Sequence, residues 1–297
     1  MSRPNTTVHY FAVTRGKECQ LTDAMITEKS DKELAFVYDL FVATDWGERF
    51  ASLVDEHVKL PEKGRALYLA AGTGGHAIAL QERAGEKLRF FCVDESEERL
   101  VLARAKATVM KEPAEFHRQT LDALPLRDNR FEIVIGDASL VASERVPKML
   151  AEMVRVASSG GVIALYLPTA SSFAEFFSVY WEALHDCGSI HETDVEAMIT
   201  ELPTVSDVEE MADRAGVENV TSWTQVEEFD FNSGEAFLNS PLIADFLMRQ
   251  WLQPVPERSR DSVAQGITRI INEDRHGSEF ALSVKATLVV GRKPRRQ

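Results

Sequence analysis

The sequence predicts an α/β protein in which a doubly wound, mostly parallel sheet is covered by helices on both faces. Between residues 65 and 166, short apolar runs alternate with segments of helical period. The runs show little polar alternation, as expected of strands that are buried on both sides. Strands that alternate with helices of this length form βαβ units, and such units build a parallel sheet.

Residues 1–60 are predicted to form a helical cap in front of the sheet. Four apolar residues near the end of this region share the spacing of one buried helical face: Phe50, Leu53, Val54 and Val58. Pro61 and Gly64 then end the helical pattern. The α/β domain is therefore expected to cover residues 61–297.

Five strands and three helices are expected in the first part of this domain. The apolar runs are, in chain order, ALYLAAG, LRFFCVD, AEFHRQ, FEIVIGD and GGVIALYLP. The helical segments between them are GHAIALQERA, SEERLVLARAKATVM and ERVPKMLAEMVRVA. In the last of these segments, the apolar residues trace one stripe at helical spacing.

The C-terminal part of the chain is predicted to contain helices and two further strands. FAEFFSVYWEALHDC is an aromatic-rich helix, and Ser206 and Glu209 have capping-box spacing at the start of another. Two strands are predicted from Val220 and from Phe280, and the second alternates cleanly between apolar and polar residues. Residues 232–279 between them are predicted to be a helical insertion in the same domain.

Composition and charge disfavour several classes of function. The formal net charge of −14 argues against a polyanionic substrate, because phosphate backbones are bound mainly by clustered Lys and Arg. No apolar leader and no stretch long enough for a membrane span is visible. The three cysteines are widely spaced and match no disulfide framework or metal motif. We expect a cytoplasmic protein without metal, nucleic-acid partner or membrane anchor, and the sequence does not indicate its oligomeric state.

A glycine-bearing turn follows the first predicted strand, in the stretch RALYLAAGTGGHAIALQ. Gly72 and Gly74 lack a Cβ, so the backbone can turn sharply there and approach a ligand closely. The helix that follows offers free N–H groups and a partial positive charge to an anionic group. In open α/β sheets, ligands bind beyond the carboxyl ends of the strands. The turn is a candidate cofactor loop, and a tight connection that binds nothing is the alternative.

An acid in the second predicted strand strengthens the case for a ligand. Asp94 ends that strand 22 residues after Gly72. A carboxylate about 20 residues beyond a glycine turn is placed to accept hydrogen bonds from ribose hydroxyls. The alternative is a charge that stabilises the next helix, but Ser96 and the acids after it already suit that role.

Two cofactors fit these features. Residues 72–77, GTGGHA, match the G-x-G-x-x-A fingerprint of dinucleotide-binding proteins, which indicates NAD. The wider pattern, over about Arg65 to Pro168, resembles the class I S-adenosylmethionine-dependent methyltransferases. Five segments carry the resemblance in the family's order: LYLAAGTGG, VDESEERLVLARAK, LPLRDNRFEIVIGD, MVRVASSGGVIALYLP and the final pair of strands.

The resemblance implies a Rossmann-like fold that ends with an antiparallel C-terminal strand. It also implies S-adenosylmethionine as the cofactor and methyl transfer to a small, partly apolar molecule. An NAD-dependent oxidoreductase is one alternative function. A binding protein that keeps the methyltransferase fold and has lost transfer activity is the other.

The resemblance further implies which residues hold the cofactor, with several departures from the family pattern. Tyr68 stands where the family has an acid associated with the methionine end of the cofactor. Ala70 replaces the first glycine, a small change provided that φ is negative there. Thr120 stands where an acid often reads the adenine amino group, with Leu121 next, and Glu95 replaces a commonly apolar neighbour. The predicted cofactor-binding residues are Tyr68, Ala70, Ala71, Gly72, Gly74, Asp94, Glu95, Thr120, Leu121 and Asp137.

Asp137 is the predicted catalytic residue, because a carboxylate just past the fourth strand can take a proton from an acceptor or orient it. Capping of the next turn is the alternative role for Asp137. The roof of a substrate pocket is expected from the aromatic residues of the helical segments, although plain core packing explains such residues equally well. The predicted substrate-pocket residues are Tyr38, Trp46, Phe173, Phe177, Tyr180, Trp181 and Trp251. His185 and His191 have no partner at metal-ligand spacing.

Overall fold

The protein is described by a computed structural model that covers residues 29–109, 113–188, 202–274 and 279–295. The strands are β1 Gly64–Leu69, β2 Leu88–Asp94, β3 Glu115–Arg118, β4 Phe131–Asp137, β5 Ala157–Pro168, β6 Glu218–Phe231 and β7 Phe280–Arg292. The first helices are α1 Asp31–Val37, a π-helix Tyr38–Gly47, α2 Glu48–His57, α3 Gly75–Ala84, α4 Glu97–Ala107 and α5 Val146–Val156. The later ones are α6 Ala174–Asp186, α7 Val205–Arg214, α8 Gly234–Asn239, a second π-helix Ile243–Leu247, α9 Met248–Trp251 and α10 Glu257–Asp274.

All seven strands form one sheet in the order β3-β2-β1-β4-β5-β7-β6. The first five strands pair in parallel, and β7 runs antiparallel to both of its neighbours. The predicted α/β class and its antiparallel C-terminal strand are therefore confirmed. The strand order reverses between β1 and β4, which is the place where a doubly wound sheet leaves a crevice for ligands.

Helices cover the two faces of the sheet unequally. One face packs against α2, α3, α4, α6 and the helices between β6 and β7, in a core that contains Tyr68, Phe90 and Tyr166. The other face packs mainly against α5 and α7 and contains Leu67 and Leu165. Because side chains alternate along a strand, β1 and β5 each send residues into both cores. This double burial explains why their sequences are apolar runs without alternation.

Local sequence signals set several helix starts, and one predicted signal was wrong. Ser30 caps α1 in a capping box with Glu33, and the Ser96 hydroxyl accepts from the Arg99 N–H at the start of α4. The capping box of α7 is formed by Thr204 and Asp207, two residues before the predicted Ser206–Glu209 pair. Both pairs have the required spacing, and Thr204 is the residue with extended backbone at the point where the chain enters the helix.

Candidate active site

A cavity of about 490 Å³ lies at the carboxyl ends of β1, β2 and β4, where the strand order reverses. This size is within the usual range of small-molecule and cofactor sites. The cavity brings together several of the residues that the sequence predicted. Its lining includes Tyr38, Ala70, Asp94, Glu95, Arg99, Leu121, Asp137, Ser139, Arg145 and Gln250.

The glycine turn at the base of this cavity is held against the neighbouring strand. The Ala71 N–H donates to the Val93 carbonyl at 3.0 Å, and the Gly74 N–H donates to the Ala71 carbonyl at 2.9 Å. Gly72 and Gly74 have φ of 55° and 81°, which non-glycine residues rarely adopt. Gly74 also lies so close to the side chain of Phe116 that an added Cβ would collide with it. Both glycines are therefore required by the backbone and packing of the turn.

Ala70 adopts the left-handed conformation as well, with φ of 56°. The condition under which alanine would be a small change here, a negative φ, is therefore not met. An alanine in this region costs roughly 1–2 kcal/mol, because its Cβ approaches the following carbonyl oxygen. The turn has the backbone shape that three glycines would favour, and Ala70 carries the conformational cost of the left-handed φ.

Ala70→Gly is expected to stabilise the protein by about 0.5–1 kcal/mol. The relief of the left-handed strain outweighs the entropy that glycine loses on folding. The urea midpoint of unfolding measures the change. Ala71→Gly is the matched control, because Ala71 has no positive φ and a glycine there is expected to destabilise the protein. A lower midpoint for Ala70→Gly would contradict the left-handed assignment.

Asp94 is buried at the edge of the cavity and anchors the glycine turn. Its Oδ2 accepts from the Gly72 N–H at 2.8 Å, and its Oδ1 accepts from the Ser96 N–H at 2.9 Å. The residue is 4% exposed and still lines the cavity. Each carboxylate oxygen can accept a second hydrogen bond. Asp94 thus holds the turn in place and keeps acceptor capacity toward the cavity.

The first π-helix closes over the glycine turn. The Tyr38 ring lies directly above Gly72, where an added Cβ would be 2.6 Å from Tyr38 Cε1 and Oη. The Arg99 guanidinium lies 4.2 Å from the centre of the Tyr38 ring on the other side. The Thr73 hydroxyl donates to Asp39 at 2.5 Å, and Lys106 forms an ion pair with the same carboxylate. These contacts fix the helical cap to the loop, and no local sequence signal predicted them.

Glu95 forms an ion pair at the rim of the cavity, where the sequence predicted an adenine neighbour. The Arg145 guanidinium donates to both Glu95 oxygens, at 2.6 and 2.9 Å, and also lies 3.5 Å from Asp122. The hydrogen bonds from Arg145 hold the pKa of Glu95 below its ordinary value. The Leu121 N–H points to the same carboxylate at 3.4 Å. The pair links β2 to the start of α5 across the site.

Five predicted cofactor residues are not among those that line the cavity: Tyr68, Ala71, Gly72, Gly74 and Thr120. Thr120 is exposed, and its hydroxyl donates to the Ala123 carbonyl at 3.1 Å within a turn. Tyr68 is 2% exposed, and its side chain lies in the core that also contains Tyr38 and Tyr166. Its hydroxyl lies 2.6 Å from the Tyr166 hydroxyl and 2.9 Å from His76 Nδ1. Burial raises the pKa of Tyr68 well above its ordinary value, so the phenol stays neutral.

Asp137 does line the cavity, and its surroundings raise the pKa of its carboxyl group. Burial raises the pKa of Asp137, and hydrogen bonds from Ser139 and Tyr166 partly oppose this effect. The Ser139 N–H donates to Asp137 Oδ1 at 2.9 Å, so the side chain also caps the turn after β4. Both roles considered from the sequence are therefore compatible with one side chain. A raised pKa brings a carboxyl group closer to the range in which it exchanges protons at neutral pH.

A second cavity of about 200 Å³ adjoins the first. The two share Ser139, Leu140 and Gln250, and the Gln250 amide donates to the Leu140 carbonyl at 3.4 Å between them. Most of the other lining is apolar and comes from β5, α6 and the helices before β7: Leu167, Pro168, Phe173, Phe177, Leu202, Leu247 and Trp251. Phe173 has φ of 62°, a strained conformation for a bulky side chain and one that clusters at functional sites.

The predicted substrate-pocket residues divide between the cavities and the core. Tyr38 lines the first cavity, and Phe173, Phe177 and Trp251 line the second. Trp46 is buried behind the site, and its Nε1–H donates to the Ser139 hydroxyl at 3.1 Å. Tyr180 is a core residue whose hydroxyl donates to the Trp251 carbonyl at 2.6 Å. Trp181 packs against the same core and lines neither cavity.

Two further searches concern the described ranges alone. Within them, no group of three or more His, Cys, Asp or Glu side chains is arranged to hold a metal ion. Every helix there is too short or too polar to cross a membrane. His191 and Cys19 lie outside the residues that the structure describes.

Comparison with known proteins agrees with this architecture. Residues 66–161 match the family model described as a methyltransferase domain. Over these residues the chain is similar to methyltransferase domains. The methyltransferase domain includes β1 to the first part of β5, and with them Asp94 and Asp137. The resemblance read from the sequence is therefore confirmed.

Two bacterial relatives of the methyltransferase domain share its sequence over longer segments. A demethylmenaquinone methyltransferase of Shouchella clausii is 32% identical over 124 residues, which span 40% of this chain and 52% of that protein. The enzyme of the same name from Bacillus cereus is 28% identical over 179 residues, 56% of this chain and 73% of that protein. The match thus spans about half of the first relative and about three quarters of the second.

Solved structures of the same fold are more distant in sequence. The YcgJ protein of Bacillus subtilis superposes with a TM-score of 0.55 at 16% identity, covering 84% of this chain and all of that one. A phosphoethanolamine N-methyltransferase of Haemonchus contortus, in complex with S-adenosyl-L-methionine, gives 0.51 at 14% identity, over 91% of this chain and 58% of that one. At these identities the likeness establishes the fold.

Proposed function

We propose that this protein transfers the methyl group of S-adenosylmethionine to a small, partly apolar acceptor. The observation that carries the proposal is one cavity at the strand-order reversal that joins the glycine turn, Asp94 and Asp137, and that adjoins a smaller apolar cavity. The first cavity has the size and polar groups of a cofactor site, and the second has the lining of an apolar acceptor site. The methyltransferase domain over 66–161 supports the same assignment.

The residues of the first cavity fit an adenosyl group. Asp94 has free acceptor capacity toward the cavity for the ribose hydroxyls, and Ala70 brings the turn to the same cavity. Leu121 contributes an apolar surface for the adenine. Glu95 and Arg145 close the rim beside it. When bound, S-adenosylmethionine supplies an activated methyl group on a sulfonium, and the protein contributes binding and orientation.

Tyr68, which the family pattern places at the methionine end of the cofactor, does not line the cavity. Tyr68 is buried and engaged with Tyr166 and His76, so its phenol is not available at the cavity. Tyr38 and Asp137 are the polar side chains that line the cavity on this side of the glycine turn. We assign Tyr38 and Asp137 to the methionine end of the cofactor and to the acceptor.

The acceptor site is the second cavity. Its aromatic and aliphatic lining excludes water from a bound acceptor, which protects the methyl donor from hydrolysis. Orientation of the acceptor atom against the donor supplies much of the acceleration in such a displacement. Asp137 lies at the end of β4, beside the wall that the two cavities share. Where the acceptor must lose a proton, Asp137 takes that proton. The two relatives named as demethylmenaquinone methyltransferases support a small-molecule acceptor.

Calorimetry with S-adenosylmethionine, S-adenosylhomocysteine and NAD(H) tests the cofactor. We expect both sulfur compounds to bind and NAD(H) not to bind, because the site offers an adenosyl-sized cavity at the glycine turn. Binding of NAD(H) alone would favour an oxidoreductase and overturn the proposal. Binding of none would favour a protein that has kept the fold without the activity.

Transfer itself is tested with S-adenosylmethionine carrying a labelled methyl group. Demethylmenaquinone is the first acceptor to assay, followed by other small phenols, quinols and amines. Label in an extractable product is the expected result. Binding of S-adenosylhomocysteine combined with no transfer to any acceptor class would support the non-catalytic alternative.

A further inference from the structure

A continuous row of polar side chains leads from the candidate active site to the protein surface. It begins at Asp137 in the cavity and passes through the buried hydroxyls of Tyr166 and Tyr68 to His76. The His76 Nε2 lies 3.0 Å from the carboxylate of Asp55, whose side chain is 40% exposed. The two tyrosine hydroxyls are 2.6 Å apart, and Tyr68 Oη is 2.9 Å from His76 Nδ1.

The fold brings these residues together from five elements. Asp137 and Tyr166 are paired in register on β4 and β5, so both side chains leave the same face of the sheet. A hydrogen bond from Tyr166 is among the effects that lower the pKa of Asp137 and so oppose its burial. Tyr68 on β1 joins Tyr166 to His76 in the first turn of α3. The Asp55 carboxylate on α2 then accepts a hydrogen bond from the other ring nitrogen of His76, Nε2.

The donors and acceptors of the row are mutually consistent in two arrangements. The Asp55 carboxylate only accepts, since hydrogen bonds from His76 and Arg83 hold its pKa low, so His76 Nε2 carries a hydrogen. With neutral His76, Nδ1 accepts from Tyr68, Tyr68 accepts from Tyr166, and Tyr166 accepts from a protonated Asp137. With protonated His76, each of these hydrogen bonds reverses and Asp137 is ionised. The two arrangements differ by one proton, on Asp137 or on His76.

We propose that Tyr166, Tyr68 and His76 form a proton relay. The relay removes the proton from the Asp137 carboxyl group after Asp137 has taken that proton from the acceptor. The inference rests on the proposed function, since it requires an acceptor that loses a proton at Asp137. Asp137 passes its proton to Tyr166, Tyr166 passes its own to Tyr68, and Tyr68 passes its own to His76 Nδ1. His76 then releases the Nε2 proton to solvent by way of the Asp55 carboxylate. No bond between heavy atoms changes, and each tyrosine is neutral before and after the transfer.

The relay explains why a tyrosine stands at position 68. A charged acid there would lie against the buried Tyr166 hydroxyl. An ionised carboxylate only accepts hydrogen bonds, whereas a phenol both donates and accepts them. Two buried hydroxyls are costly when unpaired, yet this pair is fully satisfied only when the row is continuous. Tyr68 and Tyr166 are both positioning residues for the proton, because neither lines a cavity.

The ionisable groups around the row are few. Tyr38 and Asp94 face Asp137 from the π-helix and β2. Cys92 on β2 faces Tyr68, and burial raises the pKa of its thiol above the ordinary value. Arg83 on α3 pairs with Asp55 at the exposed end.

Titration of the His76 imidazole by NMR tests the relay without any substrate. His76→Gln assigns the resonance by its loss. Asp137→Asn is expected to lower the pKa of His76 by about half a unit, since the ionised carboxyl at the far end of the row favours the protonated imidazole. In a Tyr68→Phe background the same substitution is expected to change that pKa by no more than about 0.1–0.2 unit, because the row is broken.

Controls separate the relay from a structural role of the tyrosines. Tyr166→Phe is a second way to break the row and is expected to remove the coupling as Tyr68→Phe does. Tyr180→Phe removes another buried hydroxyl, one that donates to the Trp251 carbonyl, and the half-unit coupling is expected to persist in it. An equal effect of Asp137→Asn with and without the Tyr68 hydroxyl would show direct electrostatics and overturn the relay, as would no effect in either background.

The outcomes also separate this inference from the proposed function. S-adenosylhomocysteine binding is measured on the same variants by calorimetry. Binding of S-adenosylhomocysteine without coupling between Asp137 and His76 refutes the relay and leaves the methyltransferase assignment standing. Coupling without binding refutes the methyltransferase assignment and shows a proton path that serves another reaction.

Discussion

Asp94→Ala is expected to weaken S-adenosylmethionine binding by about 10- to 100-fold. Loss of charge-assisted hydrogen bonds to the ribose costs about 1.5–3 kcal/mol, and each 1.4 kcal/mol is a factor of ten in affinity. The same change also removes the acceptor for the Gly72 and Ser96 N–H groups, so the glycine turn loses its anchor. Calorimetry with the cofactor measures the affinity, and circular dichroism confirms that the variant is folded.

A control for this prediction comes from the rim of the same cavity. Glu98 also lines the cavity, and Glu98→Gln removes one negative charge without touching the glycine turn. We expect its effect on affinity to be less than about threefold, because the charge of the partly buried Glu98 is still screened by solvent. Asp94→Asn keeps one carbonyl acceptor and is expected to fall between the two. Equal affinity of Asp94→Ala and the unchanged protein would show that the ribose assignment is wrong.

Gly74→Ala is expected to lower the free energy of unfolding by about 3 kcal/mol. Its φ of 81° is left-handed, and the added Cβ would lie 2.8 Å from Phe116 Cζ and 2.9 Å from Ala103 Cβ. Both neighbours are buried, so neither can move aside into solvent. Left-handed strain and overpacking each contribute about 1–3 kcal/mol. Urea unfolding, read as a shift of the midpoint at constant slope, measures the loss.

Gly216→Ala separates the two causes. Gly216 has a similar φ of 85°, but nothing lies within 4 Å of an added Cβ. The substitution is therefore expected to cost about 1 kcal/mol from backbone strain alone. If Gly74→Ala were no more destabilising than Gly216→Ala, the close packing of the turn against α4 and β3 would be refuted.

The strands and the cofactor turn were predictable because their signals are local. Runs such as FEIVIGD are apolar on both faces, and burial on both faces of a parallel sheet requires this. The turn at Gly72 and the acid 22 residues later lie at the ends of adjacent parallel strands, and such ends meet at one edge of the sheet. The site predicted from this spacing brought together Ala70, Asp94, Leu121 and Asp137.

Other parts of the site were not predictable from local patterns. Arg145 pairs with Glu95 from 50 residues away, and Asp39 reaches Thr73 across 34 residues. Gln250 closes the wall between the cavities from a helix just before α10. No spacing rule connects such residues, since their contacts depend on how whole helices pack on the sheet. The aromatic residues were likewise sorted between cavity and core by packing alone, with Phe177 in the cavity and Tyr180 in the core.

The sequence by itself determined the α/β class, the glycine turn after the first strand and the acid at the end of the neighbouring strand. It could do so because periodicity and glycine placement act over a few residues. The tertiary structure decided what Tyr68 does. From the sequence it was a departure from a cofactor-binding pattern, whereas in the fold its buried hydroxyl contacts Tyr166 and His76. Side-chain alternation fixes which face of a strand a residue occupies, but only the packed neighbours determine what it meets there.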